Sequence, residues 1–174
     1  MVLIRVASPE DIEGIARVHV DSWRSTYQGI ISESFLSGLT LEKRKKNWSW
    51  TFNNLNKDEK IFVAEDEGRI VGFSNGGKNR IDDPEYDGEL YAIYILKEYQ
   101  GKGIGKKLVE KVAASLMEKN YKAMMVWVLE SNPAIGFYRK LGGEEFTRKE
   151  IKIGDETLIE VALGWKNVEN IIFR

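Results

Sequence analysis

The chain has 174 residues, a formal net charge of −1, 43% apolar and 30% charged residues, the make-up of an ordinary globular protein with a real core. That balance offers no global positive field for nucleic acid, and no apolar run is long enough to span a bilayer. Cysteine is absent and His19 is the only histidine, which excludes disulfides, thiolate metal sites and a cysteine nucleophile.

The first residues, MVLIRVASPEDIEG, carry acids too early for a signal peptide, and the missing cysteines are compatible with a reducing cytoplasm. Residues 2–6 alternate like a short strand. Ser8-Pro9-Glu10-Asp11 then reads as a helix start, with Ser8 as N-cap, Pro9 at the first helical position and acids in the first turn. Ile12, Ile15, Ala16, Val18, His19 and Trp23 continue at helical spacing until Gly29 breaks the pattern. A second helix is expected to begin at Thr40. Residues 61–64 and 70–73 read as strands of a hairpin around Glu67-Gly68, followed by the loop NRIDDPEYDG. Residues 89–96, ELYAIYIL, are rich in β-branched and aromatic side chains and read as a buried strand.

Beyond that strand, Ile104, Leu108, Val112 and Leu116 recur four apart, joined by Val109, Ala113 and Met117, which makes one apolar helical stripe with Asn120 as its stop. Residues 122–130 form the next strand. Asn132-Pro133 opens another helix that ends at Leu141-Gly142-Gly143, and residues 145–153 and 157–165 close the chain as an antiparallel pair around Gly154-Asp155. No repeat, linker or low-complexity segment interrupts this order. Residues 1–174 are therefore expected to form one mixed α+β domain, with parallel pairing at its central strand–helix–strand unit.

The junction YQGKGIGKKLVEK bears the chemistry. Gly101, Gly103 and Gly105 lie between a strand and a helix start, where backbone N–H groups have no helical acceptor. Those donors and the helix dipole favour an anion, and glycine leaves no Cβ to hold a diphosphate away from the main chain. Lys102, Lys106 and Lys107 add positive charge. A phosphate-bearing ligand held largely by backbone is the expectation, against the plainer reading of a flexible turn. A Walker loop needs a hydroxyl after Gly-Lys, and here Lys107 follows Gly105-Lys106; the dinucleotide fingerprint needs G-x-G-x-x-G near a first strand.

QGKGIG at 100–105 fits the [Arg/Gln]-x-x-Gly-x-[Gly/Ala] signature of the GNAT superfamily of N-acetyltransferases. The chain resembles that family further in ELYAIYIL, in the helix after the glycines, in SNPAIGFYRKLGG and in its order of elements. The resemblance implies a mostly antiparallel twisted sheet of about seven strands with a splayed parallel pair, flanked by helices. It implies acetyl-CoA as donor. It assigns the diphosphate to the backbone of Gln100, Gly101, Lys102, Gly103, Ile104 and Gly105 with Lys106, and the pantetheine arm to the strand edge at Ile93, Tyr94 and Ile95. It also brings Asn132, Ala134, Phe137 and Tyr138 to the cofactor. Asn132 stands two residues before Ala134 where the family usually has three, so Ser131 or Asn132 inherits the pantetheine contact; Gly143 replaces a common phenylalanine.

Acetylating an amine requires that the ammonium lose a proton, that the thioester oxygen be stabilised and that the departing thiolate receive a proton. With no cysteine, direct transfer in a ternary complex is expected. Tyr138 holds the family's tyrosine position and is the candidate acid, although Ala134, Phe137, Tyr138 and Leu141 also make an apolar face that would place it in the core. Glu89 is the candidate base, directly or through water, against a plain strand-end acid. Trp23, Tyr27 and Trp127, with Asp82, Asp83, Glu85 and Asp87, are candidates to receive a cationic amine on a small molecule or peptide. A non-catalytic acyl-CoA sensor and a nucleotide-binding protein are the rival readings. No metal is called for, and the closing strands suit a monomer or a homodimer alike.

Overall fold

The computed structural model describes residues 1–173. A short strand β1 (Leu3–Val6) leads into a 3-10 turn at Pro9–Asp11 and helix α1 (Ile12–Tyr27), followed by α2 (Glu33–Ser37) and α3 (Leu41–Asn53). Strands β2 (Lys60–Asp66), β3 (Arg69–Lys78) and β4 (Gly88–Ile95) follow, then α4 (Ile104–Glu118), β5 (Met124–Leu129), α5 (Ala134–Lys140), β6 (Glu144–Ile153), β7 (Glu156–Trp165) and α6 (Glu169–Ile172).

Local chemistry accounts for the starts. The Asp11 carboxylate accepts from the Ser8 backbone N–H at 2.9 Å and is held by Arg5 at 2.7 Å, while Arg5 reaches Glu65 at 2.6 Å. That network ties β1, the first turn and β2 together, and Arg5 holds the Asp11 carboxyl below the usual carboxylate range. Thr40 caps α3 by accepting from the Lys43 N–H at 3.3 Å. Asn120, with φ at 66°, takes the left-handed turn that ends α4.

The strands form one sheet in the order β1-β2-β3-β4-β5-β7-β6. All neighbours are antiparallel except β4 and β5. That parallel pair is in register only from Gly88–Met124 to Leu90–Val126, after which the strands part. β4 keeps its antiparallel partner β3 as far as Ile95. Its other edge, over residues 91–95, therefore has no strand beside it.

Helices cover both faces because successive residues of β3 point opposite ways. Phe73 meets Trp48 of α3 with ring centroids 5.1 Å apart, while Ser74 donates to the Leu108 carbonyl of α4 at 3.1 Å. The stripe read from the sequence is the buried face of α4, with Leu108, Val109 and Ala113 fully buried. Phe73, Leu90, Leu116, Met124 and Leu163 complete the core between sheet and helices. Among the described residues, no helix is long and apolar enough to cross a membrane.

Candidate active site

The three glycines act differently. Gly101 and Gly103 have φ of 73° and 81°, and nothing lies within 4 Å of where a Cβ would stand. They are needed for left-handed backbone that L side chains rarely adopt. Gly105 is needed for space: a Cβ there would lie 3.2 Å from Ile95 Cδ1 and 3.2 Å from Phe137 Cζ. It lets α4 approach β4 and α5 closely.

The turn leaves an anion cradle. Among the described residues, no acceptor takes the backbone N–H groups of Gly101, Lys102, Gly103, Ile104 or Gly105. These five donors lie at the positive end of α4. Gln100 departs from the expectation. Its backbone N–H donates to the Lys97 carbonyl at 3.2 Å and its side chain to the Ile95 carbonyl at 3.1 Å. Gln100 thus secures the end of β4, and the open amides begin one residue later. Lys102 stacks its ammonium 5.0 Å from the Tyr99 ring centroid, and Lys106 pairs with Glu110 at 3.7 Å.

The parting of β4 and β5 opens a cavity of about 980 Å³ beside the cradle. Its walls include Gly101, Gly103, Gly105 and Lys106 at one end and Ile93, Tyr94 and Ile95 along the bare strand edge. Asn132, Ala134, Phe137 and Tyr138 line the same space, as do Trp23, Tyr27 and Trp127. Residues far apart in sequence are thus brought to one cleft. Lys102 and Ile104 are not in its wall; Ile104 is buried and contributes to the turn through its main chain.

Tyr138 is buried, with its ring edge-on to Trp165 at 6.2 Å. Its hydroxyl has no hydrogen-bond partner among the described residues. Burial pushes the phenol well above its ordinary value, reinforced by Tyr94 and Tyr27, so it stays protonated. Asn132 does two things at once. Its carbonyl oxygen caps α5 by accepting from the Ala134 N–H at 2.8 Å, and its amide donates to Tyr27 Oη at 2.9 Å. It lines the cavity, whereas Ser131 is exposed and does not. Gly143 stands where the Trp165 indole leaves no room: a Cβ would lie 2.9 Å from Cζ2.

Glu89 does not sit as a base should. Its side chain is 2% exposed, and Arg80 closes over it with Nη2 to Oε2 at 2.6 Å and backbone N–H to Oε1 at 3.0 Å. Arg80 lines the cavity and Glu89 does not. The acidic loop is likewise used for structure. Asp83 accepts from the Glu85 and Tyr86 N–H groups, Asp87 from those of Lys122 and Ala123, and Glu85 pairs with Lys166 at 3.4 Å. None of Asp82, Asp83, Glu85 and Asp87 lines the main cavity.

Sequence reasoning missed Glu160. It lies on β7, half-buried, in the cavity wall. Burial raises its carboxyl above the ordinary value, opposed by Lys149 and Arg80. The available signal was a carboxylate between Leu158 and Ala162 on one face of the strand, inside its apolar stretch.

Comparison with known proteins agrees with this geometry. Residues 20–143 match the model of the Acetyltransferase (GNAT) family. An uncharacterized N-acetyltransferase, YuaI, of Bacillus subtilis strain 168 is 41% identical over 97% of this chain and 95% of its own length. A spermidine N(1)-acetyltransferase of Thermoplasma acidophilum is 28% identical over 80% of this chain and 86% of its own. Among solved structures, the PaiA N-acetyltransferase of Thermoplasma acidophilum in complex with coenzyme A superposes with a TM-score of 0.68 and 25% identity, covering 92% of this chain and 98% of that one. By this family match, and by likeness to these relatives in sequence and fold, the chain belongs to the GNAT family as an acetyl-CoA-dependent N-acetyltransferase.

Proposed function

We propose that the enzyme acetylates a primary amine of a small molecule or peptide directly, within a ternary complex of protein, acetyl-CoA and acceptor. The observation that carries this reading is that one cavity holds both the amide cradle and the aromatic acceptor candidates, so donor and amine can meet without an intermediate carrier. The absence of cysteine favours direct transfer as well.

Bound acetyl-CoA supplies an activated acetyl thioester. The amides of Gly101–Gly105 hold the diphosphate, with Lys106 beside them. Main-chain groups of Ile93, Tyr94 and Ile95 pair with the amides of the pantetheine arm, as an added strand would. Ala134 and Phe137 pack against that arm, and Asn132 orients it while capping α5. Tyr138 holds a proton on Oη for the departing sulfur. Glu89 is better read as positioning Arg80 on the wall than as a base. Trp23, Tyr27 and Trp127 shape the acceptor end, where ring faces suit a cation. An amine acceptor is the class named for the spermidine-acetylating relative. The reading takes residues 1–174 as one domain acting in the cytoplasm, as monomer or homodimer, with no nucleic-acid partner; the net charge of −1 and the lack of cysteine support it.

Melting-temperature shifts with CoA, acetyl-CoA, ATP–magnesium and NAD, followed by thiol release across amines, test the reading. Stabilisation by the two coenzyme forms together with amine-dependent thiol release is expected. Stabilisation without thiol release would favour a sensor, and an acetylated protein that survives gel filtration would remove direct transfer.

A further inference from the structure

We infer that Glu160 is the catalytic base of acetyl transfer, its carboxylate taking the proton from the acceptor's ammonium; the inference rests on the amine-acetylation reading above. Glu160 pairs in register with Leu129 of β5 and with Lys149 of β6. β5 has by then lost β4 as a neighbour, and Leu129 and Glu160 both line the cavity there. The carboxylate is half-buried in the cavity wall, and among the described residues no donor lies within hydrogen-bonding distance of it. Its oxygens are therefore open to the cleft and available to an incoming ammonium. Glu89, by contrast, has its oxygens occupied by Arg80.

The charged groups around Glu160 fit the role. Lys149 and Arg80 favour its ionised form and Glu89 disfavours it, while burial opposes charge most strongly. Lys149 does not form an ion pair with it, holding its ammonium 4.0 Å from the Trp127 ring centroid instead. The net direction is upward, which makes the carboxylate a stronger base than an exposed glutamate. Electrostatic interaction links Glu160 to Tyr27 and Tyr94, and those two to Tyr138. Glu160 and Tyr138 line one cavity together with Tyr27 and Tyr94.

Glu160 takes one proton from the ammonium and passes it to solvent. The neutral nitrogen bonds to the acetyl carbon as the carbon–sulfur bond breaks. Sulfur keeps that electron pair and is protonated by Tyr138 Oη. The second proton lost by the nitrogen restores the Tyr138 hydroxyl. The products are an amide, a free thiol and one released proton.

The test uses Glu160→Gln and Glu160→Asp in the full chain, with spermidine, lysine and a peptide bearing a free α-amine as probes. Thiol release is followed against pH, CoA binding by melting temperature, and amine binding to the CoA-loaded protein by calorimetry. Glu160→Gln is expected to bind CoA as the wild type does, to lower kcat by about 10²–10⁴-fold, to abolish the acid limb of the pH profile, and to weaken amine binding. Glu160→Asp should keep the limb at an intermediate rate. Wild-type kcat in both variants, or an unchanged acid limb in Glu160→Gln, overturns the assignment. A wild-type protein inactive on all three amines overturns the amine-acetylation reading itself, and this inference with it.

Discussion

Arg80 seals Glu89 from the cavity. The guanidinium holds the carboxylate at 2.6 Å, with the Arg80 side chain 60% exposed and that of Glu89 2% exposed. The outward half of the pair is thus the cation, and the anion depends on it. Removing Arg80 strands a buried charge, whereas Glu89→Gln keeps an acceptor for the Arg80 N–H. Arg80→Ala should therefore cost about 2 kcal/mol, discounted for the solvent around the arginine, and Glu89→Gln less. Urea unfolding of the two variants checks the order. Glu89→Gln should also leave the acid limb of the rate profile in place, and loss of that limb would restore Glu89 as the base.

Tyr138→Phe separates chemistry from packing. The hydroxyl has no protein partner among the described residues, and the ring packs edge-on against Trp165. Removing the oxygen should leave the melting temperature and CoA affinity unchanged while kcat falls by about 10²–10⁴-fold. A stable variant with wild-type turnover would return Tyr138 to the core as a packing residue.

The glycine turn permits a sharper comparison. Gly103→Ala meets no neighbour but forces alanine to φ 81°, a strain of about 1–2 kcal/mol. If the turn relaxes to relieve it, the cradle amides rotate and CoA affinity falls about tenfold. Gly105→Ala keeps its ordinary backbone but pushes on Ile95 and Phe137 at 3.2 Å, wedging α4 from α5. Its effect should follow the neighbour: adding Phe137→Leu should recover stability in Gly105→Ala and do nothing for Gly103→Ala. Calorimetry with CoA and urea unfolding read both effects.

What could be read in the sequence was what repeats locally. The α4 stripe, the β4 run and the glycines between them are all within thirty or so residues and carry their own period, so the cradle was legible down to the helix start. Helices α2 and α6, of 5 and 4 residues, are too short to show a period. Glu160 was overlooked for a different reason. Glu89 and Glu160 both stand on strands, and nothing in their neighbours says that one meets Arg80 and the other an open cleft. That distinction comes from where β4 leaves β5, a property of the sheet rather than of either strand. Trp165 filling the space above Gly143 is likewise a long-range fit.

His19 gives the fold a pH dependence of predictable sign. Its Nδ1 accepts from Trp48 Nε1 at 3.1 Å, and its ring stacks on Tyr94 with centroids 4.9 Å apart. Burial, aided by the charge of Arg44, pushes the imidazole from its ordinary 6.5 down to about 3. Protonation would also turn the accepting nitrogen into a donor facing the indole N–H. Between pH 6.5 and 3 the unfolded chain therefore binds a proton that the folded chain refuses. The associated stability is fully present above pH 6.5 and is lost as pH falls, by up to about 1.4 kcal/mol per pH unit. In His19→Asn the side-chain oxygen can still accept from Trp48, but no proton is taken up. Chemical unfolding at pH 7, 6, 5 and 4 should give a shallower slope for the variant by about one proton, whatever its stability at pH 7. Parallel curves for the two proteins would mean that His19 charges within the fold, and that its bond to Trp48 does not hold it neutral.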